Sequence, residues 1–148
     1  DWSSDVCSSD LHGSSPRDIW AVGDHGESIH YDGEQWGSIT TGESVTLLSV
    51  SSCGSSNAWA VGQKGTILHW DGARWSKSKV DTTATLRSVL CLRENEAWIV
   101  GDKGLTLRFD GTSWQTIDSG TEASLTRILF DGRRLWIGGS HGVILVRR

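Results

Sequence analysis

Four pairs of side chains recur at one spacing, each ahead of a glycine: Asp24-His25, Gln63-Lys64, Asp102-Lys103 and Ser140-His141. Each pair sets a basic or titratable group beside a carboxylate, amide or hydroxyl. Groups of this kind can hydrogen-bond sugars or the carboxylates of a partner, although exposed turns are polar in any case. No catalytic set accompanies them. Asp32, Asp71 and Asp110 each precede a glycine and read as residues that bond the backbone of their own turn. Three equivalent positions in successive units also stand too far apart to act together. His30 and His69 are equivalent and fall on the side of their strands away from the Leu/aromatic face. Two imidazoles without a third ligand make a poor metal site. Tyr31 is the only tyrosine and occupies the place taken by Trp70 and Phe109, a packing position. There is no nucleophile elbow and no phosphate loop; Gly-Asp-Lys-Gly at 101–104 is a hairpin tip. The residues describe a protein that binds rather than one that catalyses, with no metal and no cofactor.

A repeat holds these residues in place. "IWAVGDHGESIHYDGEQW" from Ile19, "AWAVGQKGTILHWDGARW" from Ala58, "AWIVGDKGLTLRFDGTSW" from Ala97 and "LWIGGSHGVILVRR" from Leu135 stack as four lines. The leading tryptophans, Trp20, Trp59, Trp98 and Trp136, are spaced 39, 39 and 38 apart, and Trp36, Trp75 and Trp114 repeat at 39. Each unit reads as four short strands and no helix. A Leu-x-Ser-Val strand such as Leu86–Leu90 comes first, then Trp-Ala-Val-Gly, then a tight Gly-containing turn. The third strand alternates with period two, Leu105, Leu107 and Phe109 on one face and Thr106 and Arg108 on the other. Asp-Gly at 32–33, 71–72 and 110–111 turns the chain into a fourth strand that begins at the second Trp. Four antiparallel strands in about 40 residues is the signature of a β-propeller blade, which needs a neighbour on each side to cover its faces. The fold class is therefore all-β, an incomplete β-propeller of about three and a half blades of 38–39 residues. The repeated tryptophans are expected to fill the gaps between sheets. The tips that join strands two and three share one rim with the blade-to-blade linkers Thr40–Ser44, Asp81–Thr85 and Gly120–Ser124.

The first eleven residues, "DWSSDVCSSDL", do not belong to this pattern. They hold no basic start and no apolar run, so they are not a secretory signal, and Cys7 has no second ligand near it. In order, they equal the translation of a widely used sequencing-adapter oligonucleotide. Asp1–Leu11 is set aside as an adapter-derived artefact, leaving 12–148 as the partial propeller. Leu11 aligns with Val50, so strand one of the first unit is expected to be missing. At the other end Arg147 and Arg148 stand where the aromatic and the Asp should be, and the fourth unit lacks its last strand. That stop reads as a natural C-terminus, completed by a strand from the opposite end of a longer chain. Open sheet faces at both ends are expected to make residues 12–148 alone self-associate.

Charge excludes some partners. The formal charge of −4 becomes −1 once the three aspartates of the first eleven residues are removed, and the four lysines form no basic patch suited to nucleic acid. No apolar run approaches the length of a membrane span. Cys53 and Cys91 lie 38 apart, where the period is 39. They read as two unpaired small residues rather than a disulfide.

The line W-A-V-G-x-x-G-x-I-x-x-x-D-G-x-x-W resembles the Trp-rich β-propeller repeat proteins of bacteria. It is similar to Asp-box propellers of the photosystem II assembly-factor type, without the Ser/Thr that opens an Asp-box, and to tectonin lectins. The resemblance spans Ser14–Arg148. It implies an interaction scaffold, a fragment of a larger secreted or envelope-facing protein. Its partner would be a protein or a glycan, besides the remaining blades of its own chain. A tectonin-like carbohydrate-binding lectin and the remnant of a propeller glycoside hydrolase are the alternatives.

Overall fold

The structure is a computed structural model and describes residues 8–148. The adapter reading of Trp2 and Cys7 lies outside the described residues. Fifteen strands form four antiparallel sheets in chain order. Blade 1 holds β1 (Ser8–Ser15), β2 (Asp18–Gly23), β3 (Ser28–Tyr31) and β4 (Trp36–Ser38). Blade 2 holds β5 (Leu47–Ser52), β6 (Ala58–Gly62), β7 (Ile67–Trp70) and β8 (Trp75–Lys77). Blade 3 holds β9 (Leu86–Arg93), β10 (Glu96–Gly101), β11 (Thr106–Phe109) and β12 (Trp114–Thr116). Blade 4 has three strands, β13 (Leu125–Phe130), β14 (Leu135–Gly139) and β15 (Ile144–Arg147). The chain is an incomplete β-propeller, and every strand and turn of the repeat falls where the spacing puts it.

Two expectations are corrected here. Strand one of the first blade is present: Leu11 pairs with Ala21 and His12 with Trp20. Without β1, β2 would be an edge strand with a row of free amides and carbonyls, which an extended segment can satisfy. Leu11 itself stays 60% exposed. The tips between strands two and three also contain helix, a single 3₁₀ turn each at Asp24–Gly26, Gln63–Gly65, Asp102–Gly104 and Ser140–Gly142. Turns this short carry no apolar period, so nothing in the pattern announced them.

The core lies between blades, not within them. Trp20 and Val22 of blade 1 pack on Leu47, Val50, Leu68 and Trp75 of blade 2. Trp59 and Val61 meet Leu86, Val89 and Leu107 of blade 3, and Trp98 and Val100 meet Leu125, Ile128 and Ile137 of blade 4. The central strands are consequently buried on both faces; all five residues of β6 are. Each such tryptophan removes roughly 150–250 Å² of largely apolar surface from water, worth about 4–6 kcal/mol before entropy is counted. The faces left without a neighbour carry exposed apolar groups, Trp36 (47%) on blade 1 and Ile144 (71%) on blade 4.

Hydrogen bonds also cross each junction. On the innermost strands, Val50 N–H donates to Asp10 Oδ2 (3.0 Å), Val89 N–H to Ser49 Oγ (3.1 Å) and Ile128 N–H to Ser88 Oγ (3.3 Å). Ser52 N–H donates to His12 Nδ1 and Cys91 N–H to Ser51 Oγ, both at 3.0 Å. The recurring serine of Leu-x-Ser-Val thus ties β5 to β9 and β9 to β13, and Asp10 takes its place between β1 and β5. All these bonds join residues 40 apart, one more than the period. A third expectation is corrected at the junction of blades 2 and 3. Cys53 and Cys91 are disulfide-bonded, with Cα atoms 5.7 Å apart, within the reach of a disulfide. Cys53 directly follows β5 and Cys91 lies on β9, the neighbouring inner strand, so unequal repeat phase does not keep the two cysteines apart.

Candidate functional site

Each junction is built around a leading tryptophan held on two sides. Its own blade supplies the residue ten positions on: His30 stacks on Trp20 (centroids 4.1 Å) and His69 lies on Trp59 (4.3 Å), while the Arg108 guanidinium sits 5.7 Å from the Trp98 ring. The next blade supplies an aromatic pair. Trp70 and Trp75 both lie 5.0 Å from Trp20, and Phe109 and Trp114 lie 4.9 and 5.0 Å from Trp59. At Trp98 the place of Trp70 and Phe109 is held by Arg147, its guanidinium 5.2 Å from the ring, and the place of Trp75 and Trp114 lies beyond residue 148. Trp20, Trp59 and Trp98 are buried as expected, and Trp136 is half-buried on the open face of blade 4, donating to Asp131 Oδ2 at 2.8 Å. His30 and His69 thus lie on tryptophan rings across their own sheets.

The stacked residue is anchored by a polar partner at the start of strand two. His30 Nε2 meets Asp18 Oδ1 at 2.7 Å, His69 Nε2 meets Asn57 Oδ1 at 2.8 Å, and Arg108 Nε donates to Glu96 Oε1 at 3.1 Å. Burial works to raise the Asp18 pKa, but hydrogen bonds from Ser14 and His30 outweigh it and hold the carboxyl below its usual value. His69 has only an amide beside it, and burial pushes its pKa below 6.5, partly offset by Asp71.

Asp32, Asp71 and Asp110 behave as the turn chemistry requires. One carboxylate oxygen of each accepts two backbone N–H groups at 2.9 Å, from Glu34 and Gln35, Ala73 and Arg74, and Thr112 and Ser113. These bonds lower all three pKa values. Asp131, at the β13–β14 hairpin, does the same for Arg133 and Arg134. Its Asp-Gly step was the available signal, missed because it falls in another hairpin.

The eight tip residues do share one rim, bonded to the linkers. His25, Lys64, Lys103 and His141 all adopt left-handed backbone, φ between 54° and 58°. The glycine after each is also left-handed, and Gly26, Gly65 and Gly104 lie under the linker that follows: a Cβ on Gly104 would stand 1.8 Å from Thr121 O, whereas one on Gly142 would meet nothing. Much of the rim's polarity is spent internally. Thr46 donates to Asp24 Oδ1 (2.9 Å), and Arg87 holds the Asp102 carboxyl below its usual pKa. Ser140 Oγ lies 3.2 Å from His141 Nδ1. Gln63 is exposed, and Lys64 opens onto a shallow groove with Lys77, Lys79 and Asp81.

The deeper concavities lie on the opposite rim, where the Asp-Gly turns meet the hairpins between strands one and two. A cleft of about 560 Å³ separates blades 2 and 3, with Asn57, His69, Glu94 and Phe109 on its walls. Another of about 490 Å³ separates blades 3 and 4, lined by Glu96, Trp98 and five arginines: Arg93, Arg108, Arg133, Arg147 and Arg148. Between blades 1 and 2 the same place is filled by Trp70, whose indole N–H donates to Ser55 O at 3.1 Å. The equivalent position holds Trp70, buried against Trp20, in the first junction, and Phe109 and Arg147 on the walls of the two clefts.

The overall architecture has close structural counterparts. A YCF48 bound to D1 peptide superposes with a TM-score of 0.65 at 20% identity, over 96% of this chain and 63% of that one. YCF48 from Cyanidioschyzon merolae superposes at 0.77 with 19% identity, over 100% of this chain and 55% of that one. The likeness is one of fold. The chain spans less than two thirds of the length of either protein. No protein-family model and no curated protein matches the sequence.

Proposed function

We propose that this chain is a non-catalytic protein-interaction module that receives an extended segment of a partner in the inter-blade clefts of the Asp-Gly rim. The observation that carries this reading is the variable junction position. Where Trp70 stands the junction is packed shut, and where Phe109 or Arg147 stands a walled cleft remains. The walls are strand ends and turns fixed by backbone bonds, so the clefts are preformed and a bound segment costs little reorganisation of the protein. A similarly folded YCF48 has been captured with a peptide, which supports this class of ligand. The tip rim is the second candidate surface. Its partly satisfied acids make it the weaker one.

Selection of a displayed random-peptide library on the chain tests the reading. The double variant Phe109→Trp/Arg147→Trp, which fills both clefts as Trp70 fills the first junction, serves as the control. Enriched peptides should bind the wild type and lose most of their affinity for the filled variant. Equal binding to both, or no enrichment, sinks the proposal. Binding on a glycan array in parallel would favour the lectin alternative instead.

A further inference from the structure

The Cys53–Cys91 bond crosses the junction of blades 2 and 3 with its two sulfurs in different surroundings. Cys53 is half-buried and lines the cleft of about 560 Å³ between those blades. Cys91 is 8% exposed and belongs to the apolar core with Val89 and Ala97. Cys53 Sγ lies 3.4 Å from the side-chain N–H of Asn57, a donor that can bond a thiolate, whereas Cys91 Sγ lies 3.6 Å from Arg93 O, an acceptor that can take a thiol proton. Both residues are also held by bonds that do not involve sulfur. Cys53 N–H donates to Asn57 O and Cys91 N–H to Ser51 Oγ, both at 3.0 Å. Among the described residues, the walls of the cleft carry the carboxylates of Asp71 and Glu94 and no lysine or arginine. Burial keeps the pKa of His69, the one basic group there, below 6.5.

We propose that Cys53–Cys91 is a thiol–disulfide exchange site, opened by a small cationic thiol that enters this cleft, with Cys53 as the sulfur attacked and Cys91 as the resolving thiol. The inference goes beyond the peptide reading and stands whether or not a partner segment uses the cleft. A thiolate needs open access to one sulfur of a disulfide, and of the two only Cys53 borders the cleft. As the new S–S bond forms to Cys53, the bond to Cys91 breaks and its electron pair leaves on the Cys91 sulfur. That thiolate takes a proton from water, and the S–H has Arg93 O as its acceptor. A second thiolate then attacks the sulfur of the bound thiol, releases the mixed pair as a small disulfide and leaves Cys53 reduced. Two thiols are thus oxidised for one protein bond reduced. Without a second thiol, Cys91 returns to Cys53 and expels the first, because the backbone bonds keep the two side chains facing. The two carboxylates raise the local concentration of a cation and lower that of an anion.

Peptide mass mapping of the full chain, in a Cys7→Ser background, provides the test. The probes are cysteamine, a cation, and mercaptopropionate, an anion, each normalised to its rate with a neutral model disulfide. After cysteamine treatment and an acid quench, the adduct should sit on Cys53 with Cys91 a free thiol; an adduct on Cys91 overturns the assignment. Cysteamine should open the bond about fivefold faster than mercaptopropionate, and about 1 M salt should bring the two together. Equal rates at low salt would remove the acidic cleft as the route. Once free thiol is taken away on a desalting column, the adduct should decay at a rate independent of protein concentration and restore the Cys53–Cys91 bond. In Cys91→Ala loaded with cystamine it should persist. An adduct that persists with both cysteines present ends the resolving role. A bond that opens only in urea is a sealed staple, and the whole proposal then fails with the peptide reading untouched.

Discussion

The junction between blades 1 and 2 and the junction between blades 3 and 4 are copies of one design with opposite outcomes. In the first, Trp20 is enclosed by His30, Trp70 and Trp75, and Trp70 fills the outer gap. In the second, Trp98 lies between two guanidiniums, and a charged cleft takes the place of the packed aromatic. The backbone ladders are alike over the three inner strands, and blade 2 adds a fourth strand, β8, that has no counterpart among the described residues of blade 4. One side-chain position per blade can therefore be given to packing or to binding without altering the scaffold, as is general for repeat architectures whose units touch only their neighbours.

Four experiments break or sharpen this contrast. The largest effect belongs to the tryptophans themselves. Trp20→Ala should cost about 4 kcal/mol in urea unfolding. Trp98→Ala should cost about 1–2 kcal/mol less, since it forfeits no aromatic pair; equal losses would mean that the cationic junction packs as well as the aromatic one. Next comes the junction between blades 2 and 3, the one closed covalently. Reduction of Cys53–Cys91 should lower stability by about 3 kcal/mol and leave the Trp20→Ala penalty unchanged, because the two sites lie in different junctions. Arg147→Trp should then raise stability by about 1 kcal/mol and weaken binding of the library-selected peptides, moving the last junction toward the first. Stabilisation with binding intact would separate the two roles assigned to that position.

The smallest effect is a pH dependence. Burial holds the folded pKa of His69 below its ordinary 6.5. The unfolded chain therefore takes up the proton first, and stability from this site is full above pH 6.5 and falls as pH drops through the window beneath it. Asn57→Asp would set a carboxylate against the ring, as Asp18 does for His30, and raise the folded pKa of His69. Titration of the His69 ring protons by NMR follows both shifts; an unchanged midpoint in the variant would show that the 57–69 contact does not govern the histidine.

The strands and the Asp-Gly turns were legible because their signals are local. Glycine before a tip, period-two alternation in Thr106–Phe109 and Asp ahead of Gly each act within a few residues. The half-exposed Trp36 and the half-buried Trp136 could not be told from Trp75 and Trp59 by type or spacing, since their difference is the presence of a neighbouring sheet. The repeat groups the eight tip residues by connectivity alone, whereas the contacts that occupy Asp24 and Asp102 come from Thr46 and Arg87. The arginine cleft went unremarked because Arg93, Arg108, Arg133 and Arg147 are scattered over two repeats and share no motif.

By itself, the sequence determined the period, the four-strand order of the blade, its turns and the need of each leading tryptophan for a neighbour. All of these follow from backbone preferences and apolar periodicity along the chain. Only the tertiary structure decided what meets across a junction: the 40-residue stagger of the inner strands, the Cys53–Cys91 bond, and the open or closed state set by Trp70, Phe109 and Arg147. The physical reason is that side-chain volume and reach act between blades, through space, where a repeat period records equivalence but not contact.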